Sequence, residues 1–340
     1  MTTMRVRTLV AIAVFAGATT SFGAASGQPA PDLDQCSFGP DPTRYRTGAN
    51  CRHVVVDGFE RDFIVNVPFP FPTEPLPLVV VLPDSGADHS LFARVNGFGG
   101  AVDDGEAIVV VPHPLPYLVP DRSGATVWVE RWDPGQDIVA ATPRLPAWPA
   151  DAPWPADDAA YVAEVIAAVQ AAIAVDPARI FVAGLGDAGR FAVRLVHARP
   201  DLFAAAGVGV VGFDLGLSPG MPRSTHPVPV FAVLGDEDAD VTAEFGSDVP
   251  LDPDALLADP ERFGPVLEAF GLSPPPCLAT VREDGNVMTI AFCTAEGEVG
   301  FTFVLVRGVG HEAPNAINNP ARYTFAPEVW RFFATVRPDL

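Results

Sequence analysis

The sequence predicts a three-layer α/β domain built on a mainly parallel sheet. Three observations predict it. Leu76–Leu82 (LPLVVVL) and Ala107–Pro112 (AIVVVP) are continuous apolar runs, the pattern of strands buried on both faces. Runs of this kind alternate along the chain with helical patterns. With 340 residues, 49% of them hydrophobic, the chain is long enough for one large core.

The elements follow in order. Arg5 and Arg7 precede an apolar run from Leu9 to Ala18 and small residues through Ser26 and Gly27. This reads as a secretory signal peptide over 1–27, cut between residues 24 and 28. The run is too short to span a bilayer, and Cys36 lies beyond the cut, where it is no lipoprotein anchor. The expectation is an exported protein, extracellular or periplasmic, without membrane insertion. Residues 28–52 are polar and Pro-rich and read as an extended lead-in to a domain over 53–340. Strands are expected at 53–57 and 61–67, linked by Asp57-Gly58, before a Pro-rich loop over 68–76. Residues 113–156 lack periodicity and hold Trp128, Trp132, Trp148 and Trp154, which either cover a sheet edge or line a cleft. A helix fits 157–174, a strand 179–184 and a helix 187–199. Further strands fit 206–211, 228–234 and 301–306, and a last helix 325–336. The 37 prolines and 30 glycines fall largely between these segments, as turn residues do.

The formal net charge is −21, and every one of the 21 basic residues is arginine. So acidic a surface repels phosphate backbones, which excludes nucleic acid as a partner. Four cysteines, Cys36, Cys51, Cys277 and Cys293, allow three pairings. Residues 277–293 read as a hairpin around Asp284-Gly285-Asn286, with Cys277 directly opposite Cys293 and close enough to bridge. That leaves Cys36–Cys51 as the second bridge. No C-x-x-C spacing suggests a metal, and no cofactor is implied.

The chemistry-bearing stretch is Ala183-Gly-Leu-Gly-Asp-Ala-Gly-Arg190. It joins a predicted strand to a predicted helix, the setting of the G-x-S-x-G nucleophile elbow, but Gly186 stands where serine belongs. Two later loops complete a triad order. Gly235-Asp-Glu-Asp238 follows a strand, and Gly308-Val-Gly-His311 follows the last strand before the final helix. Asp238 and His311 are therefore the candidate acid and base.

These stretches resemble the secreted esterases grouped with polyhydroxybutyrate depolymerases and feruloyl esterases, over roughly residues 53–336. Val175-Asp-Pro-Ala-Arg-Ile-Phe-Val-Ala-Gly184 is similar to the family's V-D-P-x-R-[VI]-[YF]-V-x-G. Asp157-Asp158-Ala-Ala-Tyr-Val162 is similar to D-D-x-x-F-[IV], and Pro200-Asp-Leu-Phe-Ala-Ala205 to P-D-x-F-A-A. Gly235 with Asp238 matches G-x-x-D, and Gly310-His311 the closing G-H. The Cys277–Cys293 pair also has a family counterpart. The resemblance implies the α/β-hydrolase fold and short hydroxyalkanoate or feruloyl-type ester ligands, small or polymeric.

The same alignment puts Gly186 at the nucleophile position, where no acyl-enzyme can form. It also puts Asp84 in the oxyanion loop, the family's L-H-G falling on Leu82-Pro83-Asp84, and makes Asp187 the residue after the nucleophile. Carboxylates there oppose a developing oxyanion by roughly several kcal/mol. Three readings follow. The first is a non-catalytic homologue that binds a ligand or partner. The second is an active esterase using Ser85, Asp187 or a water activated by His311. The third is a cation site formed by Asp84, Asp187, Asp238 and His311. Blander roles accompany them: Asp187 as a helix N-cap, Asp238–His311 as a structural pair, Asp236–Asp240 as a solvated loop, and His113 and His197 as loop and helix-surface residues.

Overall fold

The computed structural model describes residues 44–56, 58–120, 126–132, 157–224, 226–245 and 249–336. The signal-peptide assignment, the lead-in as far as residue 43 and Cys36 lie outside them, as do Trp148 and Trp154. The chain opens with a hairpin of β1 (Gly48–Val56) and β2 (Phe59–Val67), paired antiparallel. Next come β3 (Leu76–Leu82), α1 (His89–Val95), α2 (Gly99–Asp103) and β4 (Ile108–Pro112), then a separate hairpin of β5 (Leu115–Pro120) and β6 (Thr126–Arg131). The middle of the chain is α3 (Asp158–Ala172), β7 (Val175–Leu185), α4 (Gly186–Ala198), β8 (Ala205–Gly209) and β9 (Val230–Gly235). Short helices α5 (Ala239–Phe245), α6 (Pro253–Leu257) and α7 (Gly264–Phe270) lead to β10 (Leu278–Val281), β11 (Val287–Cys293), β12 (Val299–Val306) and α8 (Phe325–Thr335).

Ten strands form one sheet in the order β1-β2-β4-β3-β7-β8-β9-β12-β11-β10. The six from β4 to β12 run parallel, so their carboxyl ends share one edge. From β3 the chain steps one way to β4, while β7 lies on the other side. The crevice between β3 and β7 is therefore the topological switch point, where open α/β sheets place their ligands. The loop after β3 carries Asp84, and the turn after β7 carries Gly186.

Strand alternation divides the core into two layers. Leu78, Val80, Leu82, Ile180 and Val182 face α3 and α4, while Val79, Val81, Phe181 and Ala183 face α1, α2 and α8. Helix packing on the second face is close. A Cβ on Gly207 would lie 2.2 Å from Val329 Cγ1 of α8. At the other end of β7, a Cβ on Gly184 would lie 2.6 Å from the Ala188 carbonyl oxygen. Glycine at 184 is what lets the first turn of α4 fold back over its own strand.

Two expectations need correction. Residues 113–156 are not all irregular, since β5 and β6 pair from Leu115↔Arg131 to Pro120↔Thr126. Within the predicted cystine hairpin the register is Leu278↔Ala291, which continues to Cys277 opposite Phe292 rather than Cys293. The Cys277–Cys293 disulfide forms across that one-residue offset, with Cα atoms 5.7 Å apart. Cys51, in β1, is also disulfide-bonded, and its assigned partner Cys36 lies outside the described residues. A smaller difference is that β1 begins at Gly48, inside the segment read as lead-in.

Candidate active site

The acid and the base are held by two loops tied to each other. Asp236 N–H donates to the Val306 carbonyl and Glu237 N–H to the Val309 carbonyl, at 3.1 and 2.9 Å. Gly308 N–H donates to Asp236 Oδ1 at 2.6 Å. The approach is closest at Gly235, where a Cβ would lie 2.1 Å from the Val309 oxygen. This brings Asp238 and His311 together as the sequence predicts. His311 Nδ1 lies 3.1 and 3.2 Å from the two Asp238 carboxylate oxygens. Asp238 is fully buried, whereas the His311 side chain is 59% exposed. A buried carboxylate orienting an open imidazole is the geometry of a general base. Asp236 and Asp238 are buried while Glu237 is exposed, so the acidic run is solvated only in part.

The elbow is different. Gly186 opens α4 directly after β7, with φ +54, a left-handed value that favours glycine. A Cβ there would lie 2.7 and 2.8 Å from the carboxylate oxygens of Asp84. That carboxylate reaches across the switch-point crevice to the first turn of α4. Its Oδ1 accepts the backbone N–H of Ser85 at 2.8 Å and of Asp187 at 3.1 Å. Asp84 thus binds at the positive end of the helix.

Asp187 is not the N-cap: that position is Leu185, which offers no side-chain acceptor, and the Asp84 carboxylate takes the Asp187 N–H. The Asp187 side chain turns outward instead. It accepts the Ser85 hydroxyl at 2.9 Å and pairs with Arg131 Nη2 at 2.9 Å. The Ser85 hydroxyl is therefore directed to a carboxylate rather than to an imidazole. Arg131 was not singled out from the sequence. It sits at the end of an unrecognised strand, and no motif marks it.

Burial pushes the Asp84 carboxyl above the usual carboxylate range; the Ser85 N–H works against this, and the neighbouring Asp187 carboxylate adds to it. A carboxyl with a raised folded-state pKa contributes stability that is lost as pH rises through that value. Asp84→Asn should therefore gain on the wild type as pH rises above the ordinary carboxylate range, read as diverging urea midpoints.

A second polar group supports the loop that carries Asp84. Trp132 Nε1–H donates to the Pro83 carbonyl, and Gly86 N–H to the Glu130 carbonyl. Trp132 is buried and stacks on Phe191 of α4, so it belongs to the support of the loop rather than to an open cleft. Beside it, His113 places Nδ1 2.8 Å from Asp62 and Nε2 3.0 Å from Glu130. His89 stacks on His113 with centroids 4.3 Å apart. His113 thus stands in the loop between β4 and β5, as expected, but is buried there. His197 does lie at the helix surface, bonded to the Pro222 carbonyl. Burial alone would lower His113, but the Asp62 and Glu130 carboxylates outweigh it and raise the imidazole to about 9. Burial, with the cationic neighbour, lowers His89 to about 4. Arg61 completes the group. It pairs with Asp158 at 2.6 Å and lies 3.6 Å above the Tyr161 ring.

The proposed cation cluster of Asp84, Asp187, Asp238 and His311 does not assemble. Among the described residues, only Asp62, His89 and His113 bring three ligand atoms within 4.8 Å of one another. Asp84 and Asp187 are engaged with backbone N–H groups and Arg131, and Asp238 with His311.

The sheet order, the switch-point elbow and the acid and histidine loops after β9 and β12 define an α/β-hydrolase fold. Comparison with known proteins adds that the chain is similar to "Putative esterase NocK" of Nocardia uniformis subsp. tsuyamanensis. The two are 28% identical over 214 residues, 62% of this chain and 55% of that protein. The chain thus spans about half the length of this curated relative. No protein-family model matches it. Among solved structures, an acetyl xylan esterase from Aspergillus awamori is 11% identical with a TM-score of 0.48, over 84% of this chain and 99% of that one. An S-formylglutathione hydrolase from Agrobacterium tumefaciens is 13% identical with a TM-score of 0.46, over 78% and 87%. Among the described residues, no helix is long and apolar enough to cross a membrane.

Proposed function

We propose that this chain is an exported, esterase-type α/β-hydrolase homologue that has lost serine chemistry and works by binding a ligand or a partner. One observation carries the reading. The Asp84 carboxylate fills the space a side chain at position 186 would enter, and it takes the Asp187 N–H. In this fold the nucleophile stands at the strand-to-helix turn, and the N–H of the next residue helps bind the oxyanion. The chain supplies its own anion to that donor and has no side chain to attack from Gly186. The resemblance to polyhydroxybutyrate depolymerases and feruloyl esterases supports an ester, small or polymeric, as the ligand class.

A second reading is favoured by the intact Asp238–His311 pair and the exposure of its imidazole. His311 would then activate water directly against an ester, without an acyl-enzyme.

The purified protein separates the two on a short-chain p-nitrophenyl ester. The expected result is no hydrolysis beyond that of His311→Ala. A wild-type rate abolished by His311→Ala would overturn the binding reading. Ser85→Ala would then distinguish a serine attack from a water attack.

A further inference from the structure

We propose that Asp62, His89 and His113 form a binding site for a divalent transition metal of the zinc class, beneath the oxyanion loop and separate from the Asp238–His311 pair. The argument begins with His89, which is 1% exposed. Its Nε2 lies 2.9 Å from the Val111 carbonyl. A carbonyl only accepts, so Nε2 carries the proton and Nδ1 presents a bare lone pair. That Nδ1 is buried without a hydrogen-bond partner and faces Asp62 Oδ2 at 3.8 Å. A lone pair directed at a carboxylate, with no donor between them, needs a cation or a proton.

His113 offers the matching half. Its Nδ1 lies 2.8 Å from Asp62 Oδ1, and its Nε2 lies 3.0 Å from Glu130 Oε2. A metal on Nδ1 would displace the proton that His113 holds toward Asp62, releasing it to solvent and leaving the Nε2–H facing Glu130. Both imidazoles would then have an oxygen behind the ring, Val111 O for one and Glu130 for the other, the usual outer support of metal-bound histidine. Two imidazoles and one carboxylate suit zinc, and also cobalt or nickel, better than calcium or magnesium. The rings are stacked at 4.3 Å with planes 14° apart. A metal lies in the plane of each ring that binds it, so binding turns one ring out of the stack.

Burial makes the role structural. Asp62 belongs to β2, His113 follows β4, and His89 opens α1 directly after the loop that carries Asp84. A metal there would clamp the far end of that loop to the sheet.

The test uses the full chain without its signal, stripped with chelator and titrated with Co²⁺ and Zn²⁺. We expect one equivalent of Co²⁺ per chain, with visible absorption bands of nitrogen ligation, displaced by Zn²⁺. His89→Ala should weaken binding at least 100-fold, and Glu130→Gln about 10- to 100-fold. His311→Ala should leave it unchanged. Should His89→Ala fail to fold, the wild-type Co²⁺ spectrum and stoichiometry decide alone. Absence of stoichiometric binding to folded wild type overturns the proposal and leaves a purely structural histidine stack. Binding lost in His311→Ala instead also overturns it, because the metal would then belong to the acid–histidine pair.

Discussion

Gly186→Ser alone should remain inert toward p-nitrophenyl esters, while Asp84→Gly/Gly186→Ser should hydrolyse them at least 10²-fold faster than wild type. The reason lies in the space above the elbow. A serine Cβ at 186 would meet the Asp84 oxygens at 2.7 and 2.8 Å. It must displace a carboxylate held by the Ser85 and Asp187 N–H groups. Even if it did, a charge would remain beside the developing oxyanion. Removing Asp84 opens the space and frees the Asp187 N–H together. It also restores glycine where the resembling esterases have it. Adding His311→Ala to the double variant should abolish the gain. High activity in Gly186→Ser alone would show that Asp84 is no obstacle.

The largest stability effect is expected at Asp158. Its carboxylate and the Arg61 guanidinium meet at 2.6 Å with side chains 0% and 3% exposed. Asp158→Ala leaves a guanidinium buried against Tyr161 with its main countercharge gone. Such broken buried pairs cost about 3–5 kcal/mol. Replacing both partners by apolar residues, as in Arg61→Met/Asp158→Leu, should cost far less than the single change. Urea unfolding of the three proteins checks this through the midpoints. Equal losses in single and double variants would mean that Arg61 finds other compensation.

Much of the fold was legible because buried parallel strands announce themselves. β3 and β4 are unbroken apolar runs, and the helices after β7 and β12 keep a helical period. The short helices α1, α2, α5, α6 and α7 were not seen, since five to seven residues hold less than two turns of pattern. β5 and β6 were missed for another reason. They fall in the stretch read as lacking periodicity, where β5 carries prolines at 116 and 120 that a strand outside the main sheet tolerates.

The site divides in the same way. Asp238 and His311 follow from chain order, because both stand in loops just past strand ends. The resemblance puts Asp84 at the same mouth as Gly186, but that its carboxylate takes the Asp187 N–H depends on the meeting of two loops a hundred residues apart, which no local pattern encodes. The buried histidine group had one overlooked signal. Arg61-Asp62 is a charged pair inside a strand whose neighbours, Phe63 to Val65, are wholly apolar.

The two flanks of the sheet share a property. Its outermost strands, β1 and β10, are where the cystines sit: Cys51 within β1, and Cys277 bonded to Cys293 beside β10. An outer strand offers unpaired N–H and C=O groups to any passing chain. Here each border is fastened covalently, and β10 is only four residues long. Reducing conditions would leave the apolar centre standing while loosening both borders. Opening those bonds would offer both outer strands to neighbouring copies.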